Sequence, residues 1–173
     1  LVGYNRESTL SNSYSTAEVE GHIYVGGLVG SNEDGTISFC YSTGSVEGSS
    51  NPKGLVGVNS GDVLYSFWDT ETSGRTYSSG GTGKTTLEMK NIYTFTDDSW
   101  DFKDLGYDGI WNIGNDRNSG YPYLAWEHPD DTGPADVIPT VFIESHSEVT
   151  EGSLTVNLTI TNIGNPNATQ HGA

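Results

Sequence analysis

The stretch GLVGSNEDGTISFCYSTGSV at residues 27–46 decides the fold of this chain. Its Leu-Val-Gly element occurs three times at equal spacing, at residues 1–3, 28–30 and 55–57. An asparagine keeps the same register at Asn5, Asn32 and Asn59. Repetition at a fixed period is typical of architectures in which each unit packs on the next. The sequence therefore predicts a stack of similar coils.

Three further sets of positions are predicted to stack along one axis, with the aliphatic sets facing inward. β-branched residues alternate with polar ones in residues 36–46, which indicates strands, and no helical period occurs. Like side chains at one position of each coil pack on one another, and aromatic rings stack. The predicted stacks are Leu1, Leu28 and Leu55; Leu10, Ile37 and Leu64; and Tyr14, Tyr41 and Trp68. The asparagines are expected to hydrogen-bond from coil to coil.

The same residues carry a resemblance to a known family. Residues 27–32 followed by residues 35–46 closely resemble the GLUG-motif repeat of large secreted and surface proteins of bacteria and archaea. Residues 54–73 match less well, because Trp68 and Asp69 depart from the pattern, and this marks the last coil. The resemblance implies an all-β fold, a right-handed parallel β-solenoid of 27-residue coils over residues 1–79, and an extracellular, cell-surface location.

Residues 80–128 are predicted to form a C-terminal aromatic cap, because the end of a solenoid exposes apolar side chains and unpaired strand edges. GKTTLEM at residues 83–89 and GYPYL at residues 120–124 resemble the segment that closes such arrays. Residues 85–91 are expected to form the only short helix of the chain. The apolar side chains expected to seal the end are Trp100, Phe102, Trp111, Tyr121, Leu124 and Trp126.

Residues 129–139 (PDDTGPADVIP) read as an acidic, proline-bearing linker. Residues 140–173 are predicted to form a partial β-sandwich-like segment that resembles the opening of an Ig-like (CARDB-like) module. Two strands are too few to bury an apolar face, so this face is predicted to associate with other copies by strand addition. The residues expected to do so alternate with polar ones: Leu154, Val156, Leu158 and Ile160. The alternative is that a longer chain supplies the missing strands.

The charge of the chain restricts its partners. Seven basic and 23 acidic residues give a formal net charge of −16, which disfavours nucleic acid and anionic membranes. No apolar run is long enough for a membrane span, so no membrane insertion is expected in this segment. Asn157 and Asn167 begin N-glycosylation sequons, in agreement with export.

No catalytic site and no cofactor are predicted. The Gly83-Lys84-Thr85 stretch lacks the first glycine of a phosphate loop, because Ser78 occupies that position. The four histidines are scattered, and Cys40 has no paired base and is expected to be a core residue. A solvated acidic loop is expected at one cluster of carboxylates, with a calcium site as the alternative: Asp97, Asp98, Asp101 and Asp104.

These observations favour a structural component of the prokaryotic cell surface that assembles through open β-edges. Its expected partners are copies of itself or other surface proteins. An adhesin or carbohydrate-binding stalk is the alternative, because exposed aromatic rings suit stacking on sugars of a glycan. A polysaccharide-degrading β-helix enzyme is the third hypothesis, and it lacks the column of acidic residues that would place two carboxylates together.

Overall fold

The structure, a computed structural model, describes residues 1–103, 109–114 and 117–131, together with the backbone of two strands in residues 141–146 and 156–160. The chain divides into two units, Leu1–Gly133 and Pro134–Ala173. The strands are β1 Val2–Arg6, β2 Thr9–Ser15, β3 Val19–Gly21, β4 Val29–Glu33, β5 Thr36–Ser42, β6 Val46–Gly48, β7 Val56–Asn59, β8 Asp62–Leu64, β9 Phe67–Asp69, β10 Thr82–Lys84, β11 Trp111–Asn112, β12 Tyr123–Leu124, β13 Val141–His146 and β14 Val156–Ile160. The helices are α1 Thr86–Met89 and α2 Tyr93–Thr96, with 3₁₀ turns at Arg117–Gly120 and Ala125–Glu127.

The first nine strands form three coils that stack in parallel. β1, β4 and β7 build one sheet, while β2 pairs with β5, which pairs in turn with β8 and β9. β3 pairs with β6 in a third sheet. Every one of these pairings is parallel and in register, as in the column Val2, Val29 and Val56. The prediction of a mostly β chain with the sheets of a parallel β-solenoid is confirmed.

Inward-facing apolar side chains fill the interior of the stack. Each is buried, and burying one such aliphatic side chain stabilises a fold by about 1.5–3 kcal/mol. Val2, Leu10 and Val63 pack against this interior while remaining partly accessible. The buried members are Leu28, Val29, Ile37, Cys40, Leu55, Val56 and Trp68.

One left-handed backbone position recurs at the same place in every coil. Asn12, Phe39 and Tyr65 have φ of 47°, 53° and 48° and occupy corresponding places in the three coils. A positive φ is uncommon for non-glycine residues, above all bulky ones. The rings of Phe39 and Tyr65 stack with their centroids 5.3 Å apart. Sequence patterns did not predict this column, since only Asn12 is a residue type that favours the conformation.

The aromatic segment after the coils covers their side. Trp111 Nε1 donates to Asn12 Oδ1 in the first coil, and Trp100 Nε1 donates to the Tyr65 carbonyl in the third. The predicted cap therefore lies along the stack and contacts successive coils, because the outward rings at Tyr14, Tyr41 and Phe67 offer it an apolar face. At the end of the stack, the short strand β10 pairs with β9. Trp126 was expected in the cap but is 72% exposed.

Residues 85–91 were expected to form the only helix, and α1 forms within them. Thr85 caps it, since the Glu88 amide donates to Thr85 Oγ1 and the Thr85 amide donates to Glu88 Oε2. The hydrogen bonds that the Thr85 amide and the Thr85 hydroxyl donate to the Glu88 carboxylate lower the pKa of Glu88. A second short helix, α2, follows and buries Phe95.

In the second unit, β13 and β14 pair in antiparallel orientation, with a register shift between Ile143 and His146. The prediction of two strands in this region is confirmed. Its likeness to an Ig-like module stays a prediction.

Candidate functional site

A ladder of asparagine amides joins the three coils. Asn5 Nδ2 donates to Asn32 Oδ1, and Asn32 Nδ2 donates to Asn59 Oδ1, each at 2.7 Å across 27 residues. Each amide nitrogen also donates to a carbonyl of its own turn, at Ser8, Gly35 and Gly61 respectively. Asn5 and Asn32 are buried, so the ladder satisfies polar groups that would otherwise destabilise the interior. The predicted coil-to-coil hydrogen bonding is confirmed.

The first turn of the third coil is one residue shorter than the same turn of the second coil. Asn32 pairs with Asn59, but after the turn Thr36 pairs with Asp62, and Cys40 meets Ser66 across only 26 residues. The two-residue turn Ser60-Gly61 replaces the three residues 33–35, which include Asp34 in a left-handed conformation. The stack members that the 27-residue period predicts beyond Asn59 are therefore displaced by one position.

Two predicted stack members are wrong for this reason. Val63, rather than Leu64, pairs with Ile37, and Leu64 is 45% exposed. Phe67, rather than Trp68, pairs with Tyr41. Trp68 pairs with Ser42 and lies in the interior, where Gly54 makes room for it, since a Cβ there would collide with the indole.

The other predicted stack members keep their register. Leu28 and Leu55 are fully buried, and Leu10 pairs with the buried Ile37. Leu1 occupies the corresponding position of the first coil, since Val2 pairs with Val29, but is 70% exposed. No described coil lies above it to cover its side chain.

The tyrosine column connects the coils with the covering segment. The Tyr14 and Tyr41 rings stack at 5.2 Å, as predicted, and each contacts Trp111. Tyr14 donates its hydroxyl to Glu127; burial, together with this bond, raises the pKa of Tyr14 to about 12. Tyr41 donates to the Pro122 carbonyl, and burial raises the pKa of Tyr41 well above its usual value. The arrangement stabilises the packing of the covering segment on the coils.

Asp69 is a fully buried carboxylate whose two oxygens are both occupied. Oδ1 accepts hydrogen bonds from the backbone amides of Glu71 and Thr72, and Oδ2 accepts from the hydroxyls of Thr86 and Tyr121. Burial and the contact with Asp69 raise the pKa of Tyr121 to about 12. Asp69 thus links the third coil to the covering segment by hydrogen bonds. The sequence patterns did not indicate this role.

The candidate reactive and metal-binding residues are dispersed. Cys40 is buried, and its burial raises the thiol pKa to about 11, which keeps it protonated at neutral pH and supports its interpretation as a core residue. Among the described residues, no group of three or more His, Cys, Asp or Glu side chains is placed to hold a metal ion. Asp104 of the proposed calcium cluster lies outside those residues. The calcium alternative therefore stays a prediction.

Three strands of the first coil form the outer edges of their sheets. β1 and β2 end their sheets, and β3 pairs only with β6. Within the part of the chain that is described, no strand pairs with the outer edges of β1, β2 and β3, and no residue donates to Asn5 Oδ1. The first coil thus carries, on this side, the same column atoms through which the second and third coils stack.

The predicted association residues fall in the second unit. Val156, Leu158 and Ile160 lie on β14, which already pairs with β13 along one edge. Asn157 also lies on β14, whereas Leu154, Asn167 and residues 132–139 of the predicted linker lie outside the described residues. No helix in the described part combines the length and apolar character needed to cross a membrane.

Comparison with known proteins identifies a family motif in the second coil and one similar protein. Residues 21–47 match the family model described as the GLUG motif. A protein of Evansella cellulosilytica named "Putative Gly-rich membrane protein" is 37% identical over 125 residues, which cover 71% of this chain and 11% of that protein. No solved structure matches the chain.

Proposed function

This chain carries the GLUG motif, as its sequence predicted, and from that premise we propose that it is a non-enzymatic structural segment of a prokaryotic cell surface. In this proposal the coils form a right-handed solenoid with an aromatic cover, and the second unit is a partial β-sandwich. The segment assembles with copies of itself or with other surface proteins by adding coils to the edges of β1, β2 and β3.

One observation carries the proposal, namely that the first coil repeats the atoms by which the other coils stack. Among the described strands, β1 and β2 end their sheets, and the edge of a sheet is a template for pairing with another strand. Leu1 is exposed, whereas Leu28 and Leu55 in the same column are buried. A further coil would bury Leu1 and donate to Asn5 Oδ1.

The stacking proposal is tested on the 173-residue chain by analytical ultracentrifugation at increasing concentration. Association that grows with concentration is expected, and Leu1→Glu should weaken it because a carboxylate would be buried in the contact. Leu87→Glu is the matched control, since Leu87 is 59% exposed on α1. A chain that stays monomeric at every concentration, or equal effects of both variants, would contradict assembly through the first coil.

The cell-surface location is tested separately, by treating intact source cells with a membrane-impermeant amine-reactive label. Lys90 is exposed, so such a reagent can reach its side-chain amine. Labelling of the protein in intact cells is expected. Labelling only after lysis would refute the location.

Adhesion to glycans is the second candidate function. Aromatic side chains outside the core favour it, because Tyr4 and Tyr24 are 53% and 59% exposed near one another on the first coils. Screening the chain on an array of glycans tests this function independently of assembly.

A further inference from the structure

The fourth coil of the stack is present only in part. Ser79 N donates to the Val56 carbonyl of the third coil at 3.0 Å. After only two residues, both glycine, Thr82 N donates to the Ser66 carbonyl at 2.9 Å. The third coil needs residues 57–65 to pass between the same two acceptors, and these residues include β8 and the turn before it. The fourth coil thus omits the arch of strand, turn and strand that the other three coils contain.

The two glycines close the interior at this place without taking the position of the arch. A Cβ added to Gly80 would lie 2.5 Å from Val63 Cγ2, and one added to Gly81 would lie 2.7 Å from Leu55 Cδ2. Glycine therefore lets the main chain pass directly across the interior, where a side chain would clash. Residues 57–65 of the third coil, here called the ledge, have no strand stacked on them in the part of the chain that is described.

The ledge directs unpaired main-chain groups toward the missing arch. Ser79 bonds to the Val56 carbonyl from that side, and alternate residues of a strand direct their main-chain groups to the same side, so those of Val58 point there as well. On β8, Asp62 N donates to the second coil, and the groups of the adjacent Val63 therefore point to the other side, toward the missing arch. The N–H and C=O groups of Val58 and Val63 thus form a template for another strand.

The asparagine ladder is also unfinished at the ledge. Asn32 Nδ2 donates both to the Gly35 carbonyl and to Asn59 Oδ1. Asn59 Nδ2 donates to the Gly61 carbonyl, and no acceptor for its second hydrogen lies among the described residues. A side-chain amide carries two N–H donors, so this hydrogen suits the side-chain oxygen of an asparagine in the missing arch.

Charge and space define what can occupy the ledge. Asp62 is exposed on it and Asp34 is exposed in the turn of the second coil, while residues 57–65 contain no lysine or arginine. Basic residues in the occupant would complement these carboxylates. A complete coil of a second copy does not fit, because residues 77–84 already stack on other parts of the third coil. The occupant that fits is therefore a free extended segment.

We propose that the ledge binds an extended peptide segment of another protein as the missing arch, with an asparagine facing Asn59 and basic residues beside Asp62. The segment pairs with the main-chain groups of Val58 and Val63 and so completes the fourth coil, a form of strand addition. The ledge lies at the opposite end of the sheet from β1, so this binding is separate from assembly through the first coil.

The test uses a synthetic peptide that copies residues 29–38 of the second coil with two substitutions, Glu33→Lys and Asp34→Asn. A control peptide carries Asn32→Ala in addition. Calorimetric titration of the 173-residue chain measures the affinity of both peptides. We expect the first to bind and the control to bind about fivefold more weakly, which is the effect of one hydrogen bond.

Hydrogen exchange followed by NMR locates the bound peptide on the chain. The amides of Val58 and Val63 should exchange more slowly when the peptide is present, because they then donate to its main chain. Slower exchange in β1 and β2 instead would overturn the ledge as the site. Protection of Val58 and Val63 that grows with protein concentration in the absence of peptide would overturn the proposed occupant, since a second copy would then take the ledge.

Two variants of the chain test the charge at the ledge. Asp62→Lys places a cation beside the lysine of the peptide and should weaken binding about fivefold. Glu47→Lys is the matched control, because it makes the same change of charge at an exposed residue of β6, outside the ledge, and it should leave the affinity unchanged. Equal affinities for these two variants, equal binding of the two peptides, or no binding of either would overturn the proposal. The sedimentation of Leu1→Glu reports on assembly through the first coil independently of these results.

Discussion

Asn32 Nδ2 lies 2.7 Å from Asn59 Oδ1, while Asn32 Oδ1 accepts from Asn5 Nδ2 at the same distance. One buried amide thus connects the coil before it with the coil after it. Its nitrogen also donates to the Gly35 carbonyl and so closes the turn of its own coil. Turn closure and coil stacking therefore depend on the same side chain, which explains why asparagine recurs at this position.

Replacing Asn32 with alanine should destabilise the chain more than the same change at Asn5. Asn32→Ala removes two bonds to neighbouring coils and leaves buried partners unsatisfied, at a cost of roughly 1–3 kcal/mol. Asn5→Ala removes one such bond. Urea unfolding of both variants measures the difference, and equal losses of stability would contradict a ladder with Asn32 at its centre.

Replacing Ile37 with alanine should cost about 2–5 kcal/mol, because its side chain is fully buried in the interior. Leu64→Ala serves as the comparison, since the shortened third coil leaves Leu64 45% exposed. It should lower the free energy of unfolding by much less. A large loss of unfolding free energy for Leu64→Ala would indicate that Leu64, rather than Val63, pairs with Ile37 in the interior, and would refute the observed register.

Ser15 and Ser42 pair with each other in the stack but differ in hydrogen bonding. Ser42 Oγ donates to the Gly54 carbonyl at 2.8 Å, so Ser42→Ala should cost about 1 kcal/mol. Ser15 Oγ is buried without a partner among the described residues, so Ser15→Ala should be neutral or stabilising. Thermal unfolding of the two alanine variants measures both effects. A larger loss of stability for Ser15→Ala than for Ser42→Ala would contradict this explanation.

Alkaline pH should lower the stability of the chain, because its buried tyrosine hydroxyls then ionise. Burial holds the pKa of Tyr14 and Tyr121 at about 12, against an ordinary value of 10.0, so folding favours the protonated hydroxyls. This stabilisation is complete below pH 10 and is lost as the pH rises through about 12. Urea unfolding at a series of pH values should show stability falling across that window, and Tyr14→Phe should reduce the slope. A slope unchanged by Tyr14→Phe would count against the shifted pKa of Tyr14.

The sequence by itself determined the repeat and much of its chemistry. The Leu-Val-Gly elements and Asn5, Asn32 and Asn59 predicted parallel stacking, because in-register coils place identical positions directly above one another. The interior positions Leu28, Ile37 and Leu55 followed from the same register. These features are local in the stack, where each coil contacts only its neighbours, so a period is sufficient to predict them.

Only the tertiary structure decided what depends on contacts distant in sequence. One residue fewer in the turn at Ser60 moved Phe67 into the tyrosine column and Trp68 into the interior, and a fixed period cannot show such a deletion. The covering segment meets Asn12 across 99 residues, so no local pattern could place it along the side of the coils. The loop at Tyr24 likewise packs with its backbone on Gly30 and Gly57 of two other strands. This approach between distant segments is not encoded by composition and spacing.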